Sequence, residues 1–289
     1  MAAESNLIKT TDLAQAREIQ VALTFTESIK KLVEALGITR KIAKQAGTVL
    51  KTYKAAGTLE SGVVAEGETI PLSKYRTEPI SYKEITLLKW RKAASAEAIV
   101  EGGYDQTVSM TNDRMVKDIQ KTIRTRFFDF LATGETNAAG GGTLQSGLAA
   151  AWGKLQVLFE DDEIEAVYFV NPMDVAGYLG TAQITTQTAF GMTYVENFLG
   201  LGTVFMNSSV PAGTIYATAK NNLLLYYVPA NGADLNEAFS FTGDGTGYIG
   251  IHEEPDYTNM TASTTMINGM ELMAERLDGV VVSKFGSPE

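Results

Sequence analysis

Cysteine is absent from this chain, and histidine occurs once, at His252. Without thiols there is no disulfide framework, no cysteine nucleophile and no Cys-ligated zinc, and a single imidazole excludes any site built on two. A Ser-His-Asp triad would have to use His252, which sits in IHEEPD, a charged, turn-like segment where a solvated loop histidine is expected. No apolar run approaches the roughly 20 residues needed to cross a bilayer, and the opening MAAESNLIKT lacks the basic-then-apolar layout of a secretory signal. The expectation is a soluble protein with no membrane partner, used in a cytoplasm-like space. No internal repeat is evident either.

What is present suits a folded globular chain: 289 residues, 45% hydrophobic and 20% charged, enough for one large domain or two smaller ones. The net charge of −10 is spread unevenly. Residues 1–56 carry 9 basic and 5 acidic side chains, residues 57–134 carry 11 of each, and residues 135–289 carry 4 against 18. A basic start and a strongly acidic second half let one copy's basic region meet a neighbour's acidic region. The same distribution argues against tight nucleic-acid binding over most of the surface.

Along the chain, residues 1 to about 24 read as a polar arm with weak helical tendency. Thr24 and Glu27 have capping-box spacing, Ile29, Leu32, Val33 and Leu36 form an apolar stripe, and Gly37 can end a short helix. After the connector GITRKIAKQAG, Thr48 to Lys54 is rich in strand formers, and AAGTLESGVVAEGETIP is a loop or arm tip. In the return segment, Thr77 to Arg91, the apolar parity changes. Ile80 and Tyr82 share one face, Ile85 and Leu87 the other, Leu88 and Trp90 the first again, which predicts a bulge or a strand passing between environments. A strand of about 15 residues spans on the order of 50 Å, so this ribbon should leave the domain body and touch another copy of the chain.

Tyr104 to Leu131 is the strongest helix. Met115, Ile119, Ile123, Phe127 and Leu131 recur every four residues, Arg114, Lys117, Lys121 and Arg124 gather opposite them, and Gly134 closes the element. TGETNAAGGGT reads as a flexible junction, and Leu148, Trp152, Leu155 and Phe159 mark a second helix. AVYFV is a short buried strand, Asn171-Pro172 opens a helix, TVFMNS, TIYATA and LLLYYV are further strands, and a final hairpin turns at Leu277-Asp278-Gly279. This half is mixed α/β.

Motifs of chemistry fail on context. Gly245, Gly247 and Gly250 have dinucleotide-loop spacing, but YIGIHEEPD follows with no helical period. Gly153-Lys154 has the wrong distance from Gly147, and Leu155 stands where a phosphate loop needs Ser or Thr. The carboxylates Glu160, Asp161, Asp162, Glu163 and Glu165, and again Glu253, Glu254 and Asp256, lack calcium-loop spacing and read as solvated turns. No catalytic, cofactor-binding or metal-binding residue is assigned, and the chain is expected not to be an enzyme. A metal-dependent hydrolase built on the acidic clusters is the alternative from another class.

The order of parts resembles the tailed-bacteriophage major capsid proteins of the Hong Kong 97-like fold, over nearly the whole length. The likeness rests on the N-terminal arm, the hairpin tipped by EGETIPLSKYRTEPISYKEITLLKWRKAASAEAI, the helix ending in FFDFLATGE, the segments AVYFVNPMDVAGYL and GTVFMNSSVPAGTIYATAKNNLLLYYV, and the ending GVVVSKF. It implies an α+β fold with an arm and first helix (1–46), an extended E-loop hairpin (47–97), a peripheral-domain spine helix (98–134), an axial domain (135–255) and returning peripheral strands (256–289). It further implies a homo-oligomeric shell subunit forming hexamers and pentamers around double-stranded DNA, with weak non-specific DNA contact. A portal and a separate scaffolding protein would be its partners, and it would assemble in the host bacterial cytoplasm. Tip residues Leu59, Glu66, Glu68, Lys74, Tyr75 and Arg76 would contact neighbouring copies, and the face of Arg114, Lys117, Lys121 and Arg124 would point inward or to a partner. Arm lysines such as Lys54 and Lys74 exist, but nothing local marks a cross-linking pair. An encapsulin-type cargo shell is the nearest alternative.

Overall fold

The computed structural model describes residues 10–134, 136–159, 164–179, 185–243 and 245–286. The chain opens with helix α1 (Thr10–Ala35), then β1 (Lys41–Ala43), the arm strands β2 (Val49–Thr58) and β3 (Lys74–Glu84), and β4 (Leu88–Ser95). The short helix α2 (Ala96–Gly102) and a π-turn at Asp105–Ser109 lead into the spine helix α3 (Met110–Leu131). There follow β5 (Thr136–Ala139), α4 (Leu144–Leu158), β6 (Ala166–Val170), α5 (Pro172–Leu179), β7 (Gln187–Ala189), β8 (Met192–Phe198), β9 (Gly202–Met206), β10 (Thr214–Ala219) and β11 (Leu223–Tyr227). A short α6 (Ala233–Ala238) and strands β12 (Ile249–Asp256), β13 (Thr261–Asn268), β14 (Met270–Ala274) and β15 (Val280–Lys284) complete it.

Among the described residues the strands form four sheets. A seven-stranded mixed sheet has the order β5-β15-β10-β6-β9-β8-β7. Two three-stranded sheets, β1-β11-β14 and β12-β13-β4, and the two-stranded β2-β3 ribbon stand apart from it.

The large sheet is buried on both faces, and this follows from its residues. In β6, all five side chains of AVYFV are buried. Val167 and Phe169 face a core shared with α1 and α3, while Ala166, Tyr168 and Val170 face a second core built on α4. The same alternation runs through Tyr216 against Ile215 and Ala217 in β10, and through Val280 and Val282 against Val281 in β15. On the α3 side the contacts are aromatic: the Phe169 ring lies 5.3 Å from Phe127, 5.5 Å from Phe128 and 5.7 Å from Phe205 between centroids.

Several sequence expectations change here. Helix α1 begins at Thr10, so Thr24 is interior, its hydroxyl donating to the Gln20 carbonyl at 2.9 Å instead of capping. The good helix formers in LAQAREIQ make the weak helical tendency of the expected arm a full helix over its described part, from Thr10 on. The junction after α3 is strand β5, paired in parallel with β15, and a Thr143–Ser146 capping box starts α4 directly after it. Trp152 of α4 is 41% exposed and packs in neither core. IHEEPD is no turn but most of β12, because it has β13 alongside to complete its ladder. The closing hairpin is also not one: β14 pairs with β11 and β15 with β10, so the Leu277-Asp278-Gly279 turn carries the chain from one sheet to another. The strands β7 and β8 had no counterpart in the sequence reading. Their type of turn puts Phe190 and Gly191 at positive φ, 49° and 70°, and a phenylalanine there hides the turn from a search for Asn-Gly or Asp-Gly.

Phe169→Ala should cost about 3–5 kcal/mol, since it opens a cavity where the spine meets the sheet. Thermal or urea unfolding measures it, and a loss below about 1 kcal/mol would contradict this account of the core.

Candidate assembly interface

Strands β2 and β3 pair antiparallel from Val49↔Glu84 to Thr58↔Lys74, a ribbon about 33 Å long at roughly 3.3 Å per residue. The ladder slips between Thr52 and Tyr53, where Ser81 and Pro79 are the partners and Ile80 is left over. Pro79 has no N–H to give, so the bulge falls where a rung is already missing. The parity change seen in the sequence has a second cause further on: β3 stops at Glu84, Ile85 is buried, and β4 starts at Leu88 in a different sheet. The 15-residue strand of the sequence reading is therefore two strands.

Every expected tip contact residue is exposed: Leu59, Glu66, Glu68, Lys74, Tyr75 and Arg76. With them stand Val63, Ile70 and Leu72, which the sequence reading did not single out; Val63 and Leu72 are 92% and 93% exposed. Three large apolar side chains inside a Gly- and Pro-containing loop were the available signal. Turn hydrogen bonds hold the tip, Glu68 N–H to the Ala65 carbonyl at 3.1 Å and Glu60 N–H to the Ser73 hydroxyl at 3.1 Å, with Gly67 at φ 88°. Where the ribbon meets the tip, the Tyr75 ring lies across Gly57, and a Cβ at Gly57 would stand 2.2 Å from it.

The base of the arm is fixed by one carboxylate. Glu271 of β14 is 3% exposed and pairs with Lys83 at the end of β3 and, at 2.9 Å, with Arg126 of α3. Lys83 also lies 5.4 Å from the Phe130 ring, Arg126 donates to Thr86 at 3.3 Å, and Leu50 and Ile85 seat in the core beside them. Sequence reasoning missed this triad. The signal was a single acid inside the apolar run MELMA, every residue of which is buried.

The basic face of α3 is only partly as expected. Arg114, Lys117 and Lys121 are exposed, and Arg114 pairs with Asp118 at 3.3 Å. Arg124 turns inward instead, donating to the Phe190 carbonyl and lying 5.8 Å from that ring, and burial pulls its pKa down. The β7–β8 turn passes over α3 at that position and takes the guanidinium as its support.

The candidate chemical groups do not converge. His252 is half-buried in β12, edge-on to Phe241 and 3.6 Å from Glu254. It borders a cleft of about 580 Å³ whose apolar lining includes Leu87, Phe239, Phe241 and Ile267. Glu253 accepts from Asn112 at 2.6 Å, while Asp256 binds its own turn at Thr258. Glu165 pairs with Lys220, whose ammonium holds its pKa down, and Glu160, Asp161, Asp162 and Glu163 lie outside the described residues. Among the described residues no three His, Cys, Asp or Glu side chains gather to hold a metal, and no helix is long and apolar enough to cross a membrane.

No sequence-family model matches the chain, and no curated protein does. Solved structures match it over most of its length. A cyanophage A-1(L) capsid asymmetric unit superposes with a TM-score of 0.58 at 11% identity, covering 88% of this chain and 92% of its own. The capsid of a native GTA particle gives 0.58 at 11%, covering 99% and 94%. The fold is the Hong Kong 97-like capsid fold. The SrpI encapsulin from Synechococcus elongatus PCC 7942 shares it at a TM-score of 0.50 and 10% identity, covering 86% and 88%.

Glu271→Ala would leave Lys83 and Arg126 without their shared anion, and should cost about 3 kcal/mol by the precedent of broken buried pairs. Limited proteolysis should then cut between residues 59 and 73 and continue into β2 and β3, where the native protein is cut at the tip alone. Equal cutting patterns would show that the triad does not anchor the arm.

Proposed function

We propose that this chain is a major capsid protein, assembling as hexamers and pentamers of an icosahedral shell around double-stranded DNA. The observation that carries the reading is the arm: a ribbon rooted in the core whose tip holds Leu59, Val63, Ile70 and Leu72 in solvent with nothing of its own to cover them. Exposed apolar side chains clustered on a projection mark a surface that another molecule covers. The fold supports a shell, and the concentration of acid in residues 135–289 against the basic start supports head-to-neighbour contact between copies. In this reading the β2–β3 ribbon and its tip, within the expected 47–97, act as the E-loop, with Leu59, Glu66, Glu68, Lys74, Tyr75 and Arg76 touching adjacent subunits, while β4 belongs to the body, paired with β13. The axial domain, expected at 135–255, takes β15 into its seven-stranded sheet and gives up β12 to the sheet of β13 and β4. Arg114, Lys117 and Lys121 face a partner or the packaged DNA, which they touch weakly and without sequence preference. A portal and a separate scaffolding protein complete the particle, made in the host bacterial cytoplasm.

An encapsulin-type cargo shell is the second reading, favoured by the shared fold with an encapsulin. The contents of purified particles separate the two: packaged DNA for the capsid, enclosed protein for the encapsulin.

Deleting residues 60–72, or reversing charge with Lys74→Glu and Arg76→Glu together, should leave the unfolding transition within about 1 kcal/mol of native, as expected for exposed sites. Closed shells should be lost in electron micrographs. Normal shells from these variants would refute the arm's role, and a native protein that stays a small oligomer under all conditions would refute the shell itself. Raising salt should weaken assembly, read by sedimentation, because the contacts between copies pair charges near solvent.

A further inference from the structure

The β12-β13-β4 sheet turns one face inward: Trp90, Met266 and Ile251 share a rung and pack in the core. The rungs on either side of it, Lys89–Ile267–Gly250 and Arg91–Thr265–His252, face the other way. Lys89, Ile267, Thr265 and His252 from these rungs line the cleft of about 580 Å³, and its opposite wall holds Phe239 and Phe241, with ring centroids 5.9 Å apart. Gly250 lets that wall come close, since a Cβ there would stand 3.1 Å from Phe241. Phe239 is 58% exposed at the rim, and Lys89 and Arg91 are exposed on the same face of β4. An apolar hollow of this size with a few charged groups around it has the build of a binding site.

Leu87, also in the lining, lies three residues past Glu84, where the ladder of the arm begins. The cleft therefore opens at the root of the arm, while the tip stands about 33 Å away along the ribbon. The paired strands hold that separation, so a chain cannot lay its own tip in its own cleft. A second copy can. The tip has what the cleft lacks: Leu59, Val63, Ile70 and Leu72 are exposed aliphatic side chains with an apolar wall to meet. Its charge is complementary too. Residues 59–73 carry three acids, Glu60, Glu66 and Glu68, and no Lys or Arg, whereas β4 presents Lys89 and Arg91.

We propose, in a step that rests on the arm's role between copies, that the cleft of one copy receives the arm tip of the next. Phe239, Phe241 and Ile267 cover the tip's aliphatic side chains, and Lys89 and Arg91 meet its glutamates. Apolar surface then leaves water on both partners at once, and the opposite charges set the register. Tip and cleft are different surfaces, so the contact is heterologous. Each copy gives a tip to one neighbour and takes a tip from another, and the copies run on in rings or chains instead of stopping at a pair.

The absence of cysteine allows a clean cross-linking test on the full chain. Val63→Cys puts one thiol on the exposed tip, and Ser240→Cys puts one on the exposed rim of the cleft. Treated with a short bismaleimide after assembly, the chain carrying both should give a denaturing-gel ladder of dimers, trimers and longer products. The two single variants co-assembled should give dimers of one with the other, and each assembled alone should give none. Shells that form normally without any tip-to-cleft product would overturn the cleft as receiver and leave the arm's role standing. A double variant that stops at dimers would overturn the head-to-tail order. By light scattering, Lys89→Glu should raise the concentration needed for assembly about tenfold, and Glu66→Lys with Glu68→Lys in the same chain should return it towards native. Phe239→Asp, at an exposed site, should weaken assembly with its unfolding transition unchanged. Native assembly by Phe239→Asp would give the cleft to another occupant and overturn the proposal, as would a Lys89→Glu defect that the tip swap does not relieve.

Discussion

The ion cluster at Glu271 is the point on which the shape of the molecule turns. A carboxylate at 3% exposure costs several kcal/mol to desolvate unless cations meet it. Here the two cations come from different parts of the chain, Lys83 from the arm and Arg126 from the spine. Packing alone would seat Leu50 and Ile85 in the core, but apolar contact is non-directional and would leave the ribbon free to swing. Two cations from different elements paired with one carboxylate fix the root of the arm against both the spine and the sheet. The arm is consequently aimed from the body.

Behind that anchor stands the sheet covered on both faces. Because β6, β10 and β15 bury both sets of side chains, their apolar residues are divided between two cores, one of them shared with α1 and α3 of the first half. The spine helix spends its apolar stripe on the same core, in the rings of Phe127 and Phe128 against Phe169. The tip gathers Leu59, Val63, Ile70 and Leu72 on one projection, while exposed apolar residues of the body, such as Val100, Met173 and Tyr257, lie on other elements.

Much of this was legible in the sequence, for reasons that can be named. The four-residue recurrence of Ile119, Ile123 and Phe127 gave the spine, because a helix buried along one stripe writes that period directly. AVYFV announced a short buried strand, which the structure buries on both faces, and Asn171-Pro172 a helix start, with the Met173 N–H donating to Asn171 at 3.0 Å. The arm was read from a ribbon with no core beside it, and its six named tip residues are all exposed. What stayed hidden depends on partners distant in sequence. The helix before Thr24 carries Glu18 on its buried side, and no local rule places an acid there unless the edge of β12 is known to need an acceptor. Arg124 belongs to the basic stripe by spacing, yet a turn 66 residues later claims it. His252 lies in a segment with turn-like composition, where only the neighbouring β13 makes it a strand.

The handover at Ile85 has a mechanical side. Both strands of the ribbon run outward from the body, so a pull on the tip along the arm is borne by two covalent backbones in parallel, with the rungs between them hardly loaded. The ladder resists bending, and the load arrives where Lys83 meets Glu271 and where β3 gives way to β4. The arm is thus a stiff tether whose root, where Leu50 and Ile85 are buried and Lys83 meets Glu271, receives any load placed on the tip.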